Sequence, residues 1–228
     1  MAAATAGAPT DEASPSTKHK PWIVRPGFLD HPPCPPEFWV LIPTRDCTSV
    51  THTAIVLTEL AMSLPVPHSV FWVERSNIPR ARNALVASVR QAVGAERDRA
   101  WCLWIDSDIM VPTDTVPALR AAIEESWRSG IGFTAHYSMT NGDSHMIMTK
   151  ELPRDFEPNV KRQDLDALAD GTQVPMCGFG CLFVPQDLGY AFYTDQWGED
   201  VYYWHDHPDE FVRYRKSITV GHHKLLWI

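Results

Sequence analysis

Apolar positions along this chain fall into short unbroken runs separated by stretches of helical spacing. Phe38-Trp39-Val40-Leu41-Ile42 is continuous rather than alternating and stops at Pro43, which predicts a strand buried on both faces. A helical segment is predicted from about Val50 to Ser63, followed by a second buried strand at Ser69-Val70-Phe71-Trp72-Val73. Ser76-Asn77-Ile78-Pro79 supplies a capping pair and a proline near the first turn of a helix with Ala81, Leu85, Val89 and Ala92 on one face. Trp101-Cys102-Leu103-Trp104-Ile105 is a third buried strand with Asp106-Ser107-Asp108 at its carboxyl end. This alternation predicts an open, mostly parallel α/β sheet flanked by helices, in which ligands gather beyond the carboxyl ends of the strands.

The second half is less regular. Asp114 or Thr115 is placed to cap a helix with Val116, Leu119, Ile123 and Trp127 on its apolar face and Gly130 as its stop. Ile131 to Ala135 is strand-like, and Cys181-Leu182-Phe183-Val184 reads as another buried strand. Asn141-Gly142, between His136–Met139 and Ser144–Met148, predicts a hairpin turn, so this half is expected to be mixed. Residues 1–36 are rich in Ala, Pro, Ser and Thr and include Pro-Pro-Cys-Pro-Pro, which predicts a disordered or extended tail ahead of a single domain at 37–228.

Composition narrows the function classes. The 228 residues, 44% hydrophobic, suffice for one sizeable core. No apolar run approaches the roughly 20 residues that cross a bilayer, and no secretory signal opens the chain, so a cytoplasmic protein without membrane partners is expected. Cys34, Cys47, Cys102, Cys177 and Cys181 form no Cys-x-x-Cys pair, and their odd number fits free thiols. A net charge of -8 argues against non-specific nucleic-acid binding, although Arg75, Arg80, Arg82, Arg213, Arg215, Lys216 and Lys224 leave room for a local basic face.

Two carboxylates one residue apart, just beyond a buried strand, offer hard oxygen ligands to Mg²⁺ or Mn²⁺, with phosphate oxygens completing the coordination. The bland alternative is a solvated turn. Gly178-Phe179-Gly180, between Cys177 and Cys181, lets backbone approach a ligand closely and is a candidate lining for an acceptor pocket; a bulged strand is the simpler reading. The Cys spacing does not match a zinc site. His205-Asp206-His207 is expected to be a solvated loop rather than a separate metal site.

Ala81-Arg82-Asn83 followed by Leu103-Trp104-Ile105-Asp106-Ser107-Asp108 resembles the inverting GT-A glycosyltransferases, with a longer segment between the two motifs than is usual. The resemblance runs from about Phe38 to the C-terminus. It implies a GT-A fold, with a Rossmann-like nucleotide-binding half and a mixed acceptor half. It implies further that Asp106 supports the nucleotide, Asp108 contacts the metal and Arg82 lies beside the donor. Thr44, Arg45 and Asp46 after the first strand, with Glu74 and Arg75 after the second, would hold the nucleoside. Trp197-Gly198-Glu199-Asp200 resembles the family's Glu-Asp signature. Asp200 would then be the general base, Glu199 an acceptor-orienting group or substitute base, and Trp197 a flat platform. Within Val220-Gly221-His222-His223-Lys224, His222 would be a further metal ligand and Lys224 a phosphate contact.

The expected reaction is sugar transfer from a nucleotide-sugar, most simply UDP-linked, to a hydroxyl, with inversion if Asp200 acts as base; retention is the alternative, since some GT-A families with similar Asp-x-Asp sites retain configuration. Small single-domain proteins of this arrangement look similar to bacteriophage enzymes, which brings in a hydroxymethylated DNA base as an acceptor, in host cytoplasm, beside polysaccharide and small-molecule acceptors. A nucleotidyltransferase is the competing enzyme class, but Pro43-Thr44-Arg45-Asp46 lacks its glycine-rich basic loop. A nucleotide-sugar-binding module without turnover is the competing non-enzyme.

Overall fold

The computed structural model describes residues 38–44, 68–74, 77–137, 147–148, 167–195 and 198–222, with backbone alone at 44, 68–74, 148 and 222. These all fall within a unit spanning His31–Ile228. The tail expected at 1–36, the helix expected at Val50–Ser63 and the Asn141-Gly142 turn lie outside the described residues.

The three continuous apolar runs form β1 (Phe38–Thr44), β2 (His68–Glu74) and β3 (Arg99–Ile105). After β4 (Ile109–Met110) come β5 (Gly132–His136), β6 (Ile147–Met148), β7 (Gln173–Val174), β8 (Met176–Cys177), β9 (Cys181–Asp187), β10 (Val212–Thr219) and β11 (Gly221–His222). Among the described residues, the main sheet has seven strands in the order β2-β1-β3-β9-β5-β10-β7. Its first three strands are mutually parallel; β9 runs antiparallel between β3 and β5, β10 lies parallel to β5, and β7 closes the edge antiparallel. The architecture is therefore mixed α/β.

Burial on both faces explains the unbroken apolar runs. Trp39 and Leu41 of β1 join Cys102 and Trp104 of β3 on one face, while Phe38, Val40 and Ile42 join Trp101, Leu103 and Ile105 on the other. Because side chains alternate along a strand, neither face can be polar.

Helix α1 (Ile78–Val93) starts where Asn77, extended at φ -124, accepts the Arg80 N–H on Oδ1 at 3.2 Å, and Pro79 occupies the first turn. Leu85, Val86 and Val89 pack it on the first face. Helix α2 (Val116–Ser129) packs Leu119, Ala122 and Ile123 on the second face and stops at Gly130, whose φ of 72 a side chain would resist. The expected side-chain cap is absent: a short 3-10 turn, Thr113–Thr115, leads in, and Thr115 Oγ1 donates to Pro112 O at 2.6 Å instead.

His136 ends β5 in the main sheet, and Ile147–Met148 pairs with Met176–Cys177 of β8. The polar His-Asp-His stretch is not a loop: it ends α3 (Glu199–Asp206), and His207 is buried. Cys102, Cys177 and Cys181 are buried free thiols. Among the described residues, no helix is long and apolar enough to cross a membrane.

Candidate active site

Strand β3 delivers Asp106 at its carboxyl end, where the sheet's first three strands also finish. The Asp106 N–H donates to Gly180 O at 3.0 Å, and Ile109 N–H returns to Asp106 O at 2.9 Å, fixing a tight turn through Ser107 and Asp108. Asp106 and Ser107 are half-buried and Asp108 is exposed. Beyond the turn, β4 pairs antiparallel with β11, setting His222 opposite Ile109. The backbone of His222 thus arrives one position from Asp108 in the ladder; its side chain is not among the described atoms.

Arg82 projects from the buried face of α1 and is only 2% exposed. Nη2 donates to Asp106 Oδ1 at 3.1 Å and Nε donates to Glu199 Oε1 at 3.0 Å, joining groups that lie 24 and 117 residues away in sequence. Its guanidinium carbon stands 5.2 Å from the Trp104 ring centroid and 4.9 Å from that of Phe179. Those rings desolvate the cation, and the two carboxylates compensate it, so Arg82 remains firmly protonated. Its Nη1 is buried without a hydrogen-bond partner among the described residues.

Glu199 and Asp200 occupy the first turn of α3, where the helix dipole favours negative charge. Asp200 Oδ1 accepts the Val201 N–H at 2.9 Å. A Cβ on Gly198 would meet Asp200 Oδ1 at 2.5 Å, so a side chain there would turn that carboxylate. Burial, then the neighbouring Glu199 charge, raises the Asp200 carboxyl to about 6, against the lowering influence of Arg82. Burial also raises Asp106, helped by Asp108 and Glu199 and opposed by Arg82. Among the described residues, Asp106 feels the charges of Asp108 and Glu199, and Asp200 those of Glu199 and Asp106, around the Arg82 guanidinium, an excess of negative charge suited to a cation. Among the described residues, no three His, Cys, Asp or Glu side chains already converge as a ligand set.

Of the expected lining, Gly178, Phe179 and Gly180 are all buried. Phe179 is a core ring beneath Arg82, with edge contacts to Trp104 and Tyr203, and not a pocket wall. Gly180 has no room for a side chain, because a Cβ would lie 2.9 Å from the Tyr137 ring. Its N–H donates to Tyr137 Oη at 3.2 Å, and burial holds that phenol well above its ordinary value. Thr44 and Glu74 end the paired strands β1 and β2 side by side. Arg45, Asp46, Arg75, Trp197 and Lys224 lie outside the described residues. Of the arginines suggested for a basic face, Arg80 is exposed, Arg82 is enclosed, and Arg213 and Arg215 pair with Glu125, Arg215 also with Asp170.

Sequence reasoning assigned no role to Asn83. Its Nδ2 donates to Phe192 O at 2.8 Å and its Oδ1 accepts the Phe192 N–H at 2.7 Å, fastening the segment that leads toward Gly198-Glu199-Asp200 onto α1. An amide is suited to this because it carries a donor and an acceptor together. The signal for it in the sequence is its place in the Ala81-Arg82-Asn83 motif.

No protein-family model matches the chain, and no curated protein sequence matches it. Among solved structures, the chain is similar to the crystal structure of a glycosyltransferase involved in the glycosylation of the major capsid of PBCV-1, with 13% sequence identity, a TM-score of 0.39 and 82% of each chain covered. At that score the functional reading rests on the geometry of the site itself.

Proposed function

We propose that this chain is a metal-dependent glycosyltransferase moving a sugar from a nucleotide-sugar, in our reading a UDP-sugar, to an acceptor hydroxyl with inversion at the anomeric carbon. One observation carries the reading. Buried Arg82 ties the strand-end Asp106 to the helix-start Glu199, so that two distant acidic motifs make one site, with Asp200 raised to about 6.

The donor set fits a hard divalent cation: Asp108 is exposed beside Asp106, and the β11 ladder brings His222 alongside. Asp108, the second oxygen of Asp106 and His222 would hold Mn²⁺ or Mg²⁺, which would neutralise charge on the departing diphosphate.

The chain's own residues do the rest. Arg82 fixes the directions of Asp106 and Glu199, and its Nη1, without a partner among the described residues, is a donor that a substrate oxygen would satisfy. With Glu199 anchored, Asp200 is the base. It takes the proton from the acceptor hydroxyl while that oxygen bonds to the anomeric carbon and the bond from this carbon to the diphosphate oxygen breaks. The nucleoside diphosphate leaves, and Asp200 returns its proton to water. A carboxyl near 6 is mostly ionised at neutral pH yet more basic than an ordinary Asp, which suits this role.

Thermal melting with UDP and Mn²⁺, together and apart, tests donor binding. We expect a joint stabilisation larger than the sum of the two and its loss in Asp108→Ala. Equal stabilisation by UDP without a divalent cation would contradict the metal-dependent reading.

A further inference from the structure

One side of α3 continues away from the proposed base. Glu199, Tyr202 and Asp206 are spaced three and then four residues apart, so they share a stripe along the helix. Asp206 Oδ2 accepts hydroxyl hydrogen bonds from both Tyr190, at 3.0 Å, and Tyr193, at 3.1 Å, and its Oδ1 lies 3.1 Å from His205 Nδ1. The Tyr193 ring packs over Tyr202 with centroids 4.5 Å apart and an interplanar angle of 32°.

Core packing accounts for Tyr190, which contacts Phe192, Tyr203 and His207. It does not account for Tyr193, which is 42% exposed and among the few large hydrophobic side chains so placed. The ring is nevertheless held from two directions, by the Asp206 carboxylate at its hydroxyl and by Tyr202 beneath it. A rigid aromatic surface with polar groups at its rim binds with little further ordering cost.

We infer that Tyr193, Tyr202 and Asp206 form an acceptor subsite for a neutral saccharide chain, an inference that rests on the glycosyl-transfer reading above. The C–H face of a pyranose packs on the Tyr193 ring, and its hydroxyls meet Asp206 and His205. Asp206 follows Asp200 by six residues, about 9 Å along the helix at 1.5 Å per residue. A sugar on this platform therefore lies beyond the unit whose hydroxyl faces Asp200, so the acceptor is an oligosaccharide and not a single hexose.

Aromatic platforms also stack nucleobases, but they do so beside a basic groove that tracks phosphates. Here Tyr190 to Glu210 contains no Lys or Arg; Glu199 is paired with Arg82 and Glu210 with Arg99, which leaves Asp195, Asp200, Asp206 and Asp209 as the local negative charge. That local charge repels a nucleic-acid backbone and is indifferent to a neutral glycan.

The test is retention of the full-length protein on a printed array of defined mono- and oligosaccharides, with a single-stranded hydroxymethylcytosine oligonucleotide as an added spot. We expect the wild type to retain at least one neutral oligosaccharide over its terminal monosaccharide. Tyr193→Ala should weaken that retention about tenfold, and Tyr193→Trp should keep it. If circular dichroism shows that Tyr193→Ala fails to fold, Tyr193→Gln, which covers Tyr202 without a ring, is held to the same criterion. No saccharide retained, retention by the ringless variant equal to wild type, or preference for the oligonucleotide overturns the inference. Nucleoside diphosphate release, measured in parallel, separates the two proposals. Release without saccharide retention removes the subsite alone, and retention without release from any donor removes the transferase reading and leaves a saccharide platform.

Discussion

Arg82 Nε donates to Glu199 Oε1 at 3.0 Å across 117 residues of sequence, and both groups are shielded from water, at 2% and 13% side-chain exposure. A buried guanidinium that also holds Asp106 cannot be replaced by a point charge, because an ammonium has no planar fork to serve two carboxylates in fixed directions. Arg82→Lys is therefore expected to fold with a lowered melting temperature and to lose turnover by about a hundredfold through misplacement of the site. Arg82→Ala leaves two carboxylates uncompensated and should cost about 3–5 kcal/mol in urea denaturation.

Asp200 makes a prediction of opposite sign for stability and activity. Its folded-state value, about 6, lies above the ordinary 3.8, so the neutral form's contribution to stability is present below about 3.8 and is lost as pH rises through 6. In cation-free buffer, Asp200→Asn should therefore be more stable than wild type at pH 7 by about 1–2 kcal/mol, after allowance for partial exposure, and equal to it near pH 4. The same variant should lose turnover by about a hundredfold or more, and the wild-type acid limb should fall near pH 6. Equal stability at pH 7 would sink this account of Asp200.

Much of the frame is legible in the sequence, and the reason is local. Phe38–Ile42 and Trp101–Ile105 carry enough apolar side chains to require burial on both faces, and Asn77 and Gly130 mark helix ends through their own backbone chemistry. What escaped reading depends on distant partners. Ile147 pairs with Cys177 of β8, thirty residues on, and nothing local in either segment announces that pairing. His205-Asp206-His207 looks polar in sequence, yet His207 lies against the rings of Tyr203 and Tyr190, at centroid distances of 4.3 and 5.0 Å. Phe179 read as a candidate pocket lining between two glycines, and only the arrival of Arg82 and Trp104 makes it core. Asp106, Asp108, Glu199 and Asp200 were each visible as candidates. The guanidinium that joins two of them was expected beside the donor, but its two carboxylate partners were not legible, because they lie 24 and 117 residues away.

Asn83 is expected to act as a positioning residue. Asn83→Ala removes two hydrogen bonds to the Phe192 backbone and leaves that donor and acceptor poorly satisfied, at a cost of about 1–3 kcal/mol. Because the site's charges stay in place, donor KM should change little while kcat falls. Asn83→Asp keeps the acceptor and loses the donor, so it should recover part of the stability. Steady-state kinetics beside thermal melting checks both.

His207 should give the fold a pH dependence at the alkaline side. Burial lowers it, but Nε2 faces Asp187 Oδ2 at 3.4 Å and Nδ1 faces Tyr203 O at 2.7 Å, and with Glu210 nearby its value is raised above the ordinary 6.5. The stabilisation from its protonated form is full below 6.5 and is lost as pH rises through the folded-state value. Melting temperatures measured upward from pH 6 should fall for wild type and fall less steeply for His207→Gln. An unchanged slope in the variant would assign the dependence elsewhere.

The central claim is sugar transfer at the site that Arg82 assembles, and release of nucleoside diphosphate tests it most directly. Wild type, Asp108→Ala and Asp200→Asn are incubated with Mn²⁺ and a panel of nucleotide-sugars, and free nucleoside diphosphate is quantified by chromatography with and without a chelator. The account requires release from at least one donor by wild type, abolished by chelation and by either substitution. Release of pyrophosphate, release unchanged in Asp108→Ala, or neither turnover nor binding of any donor would contradict it.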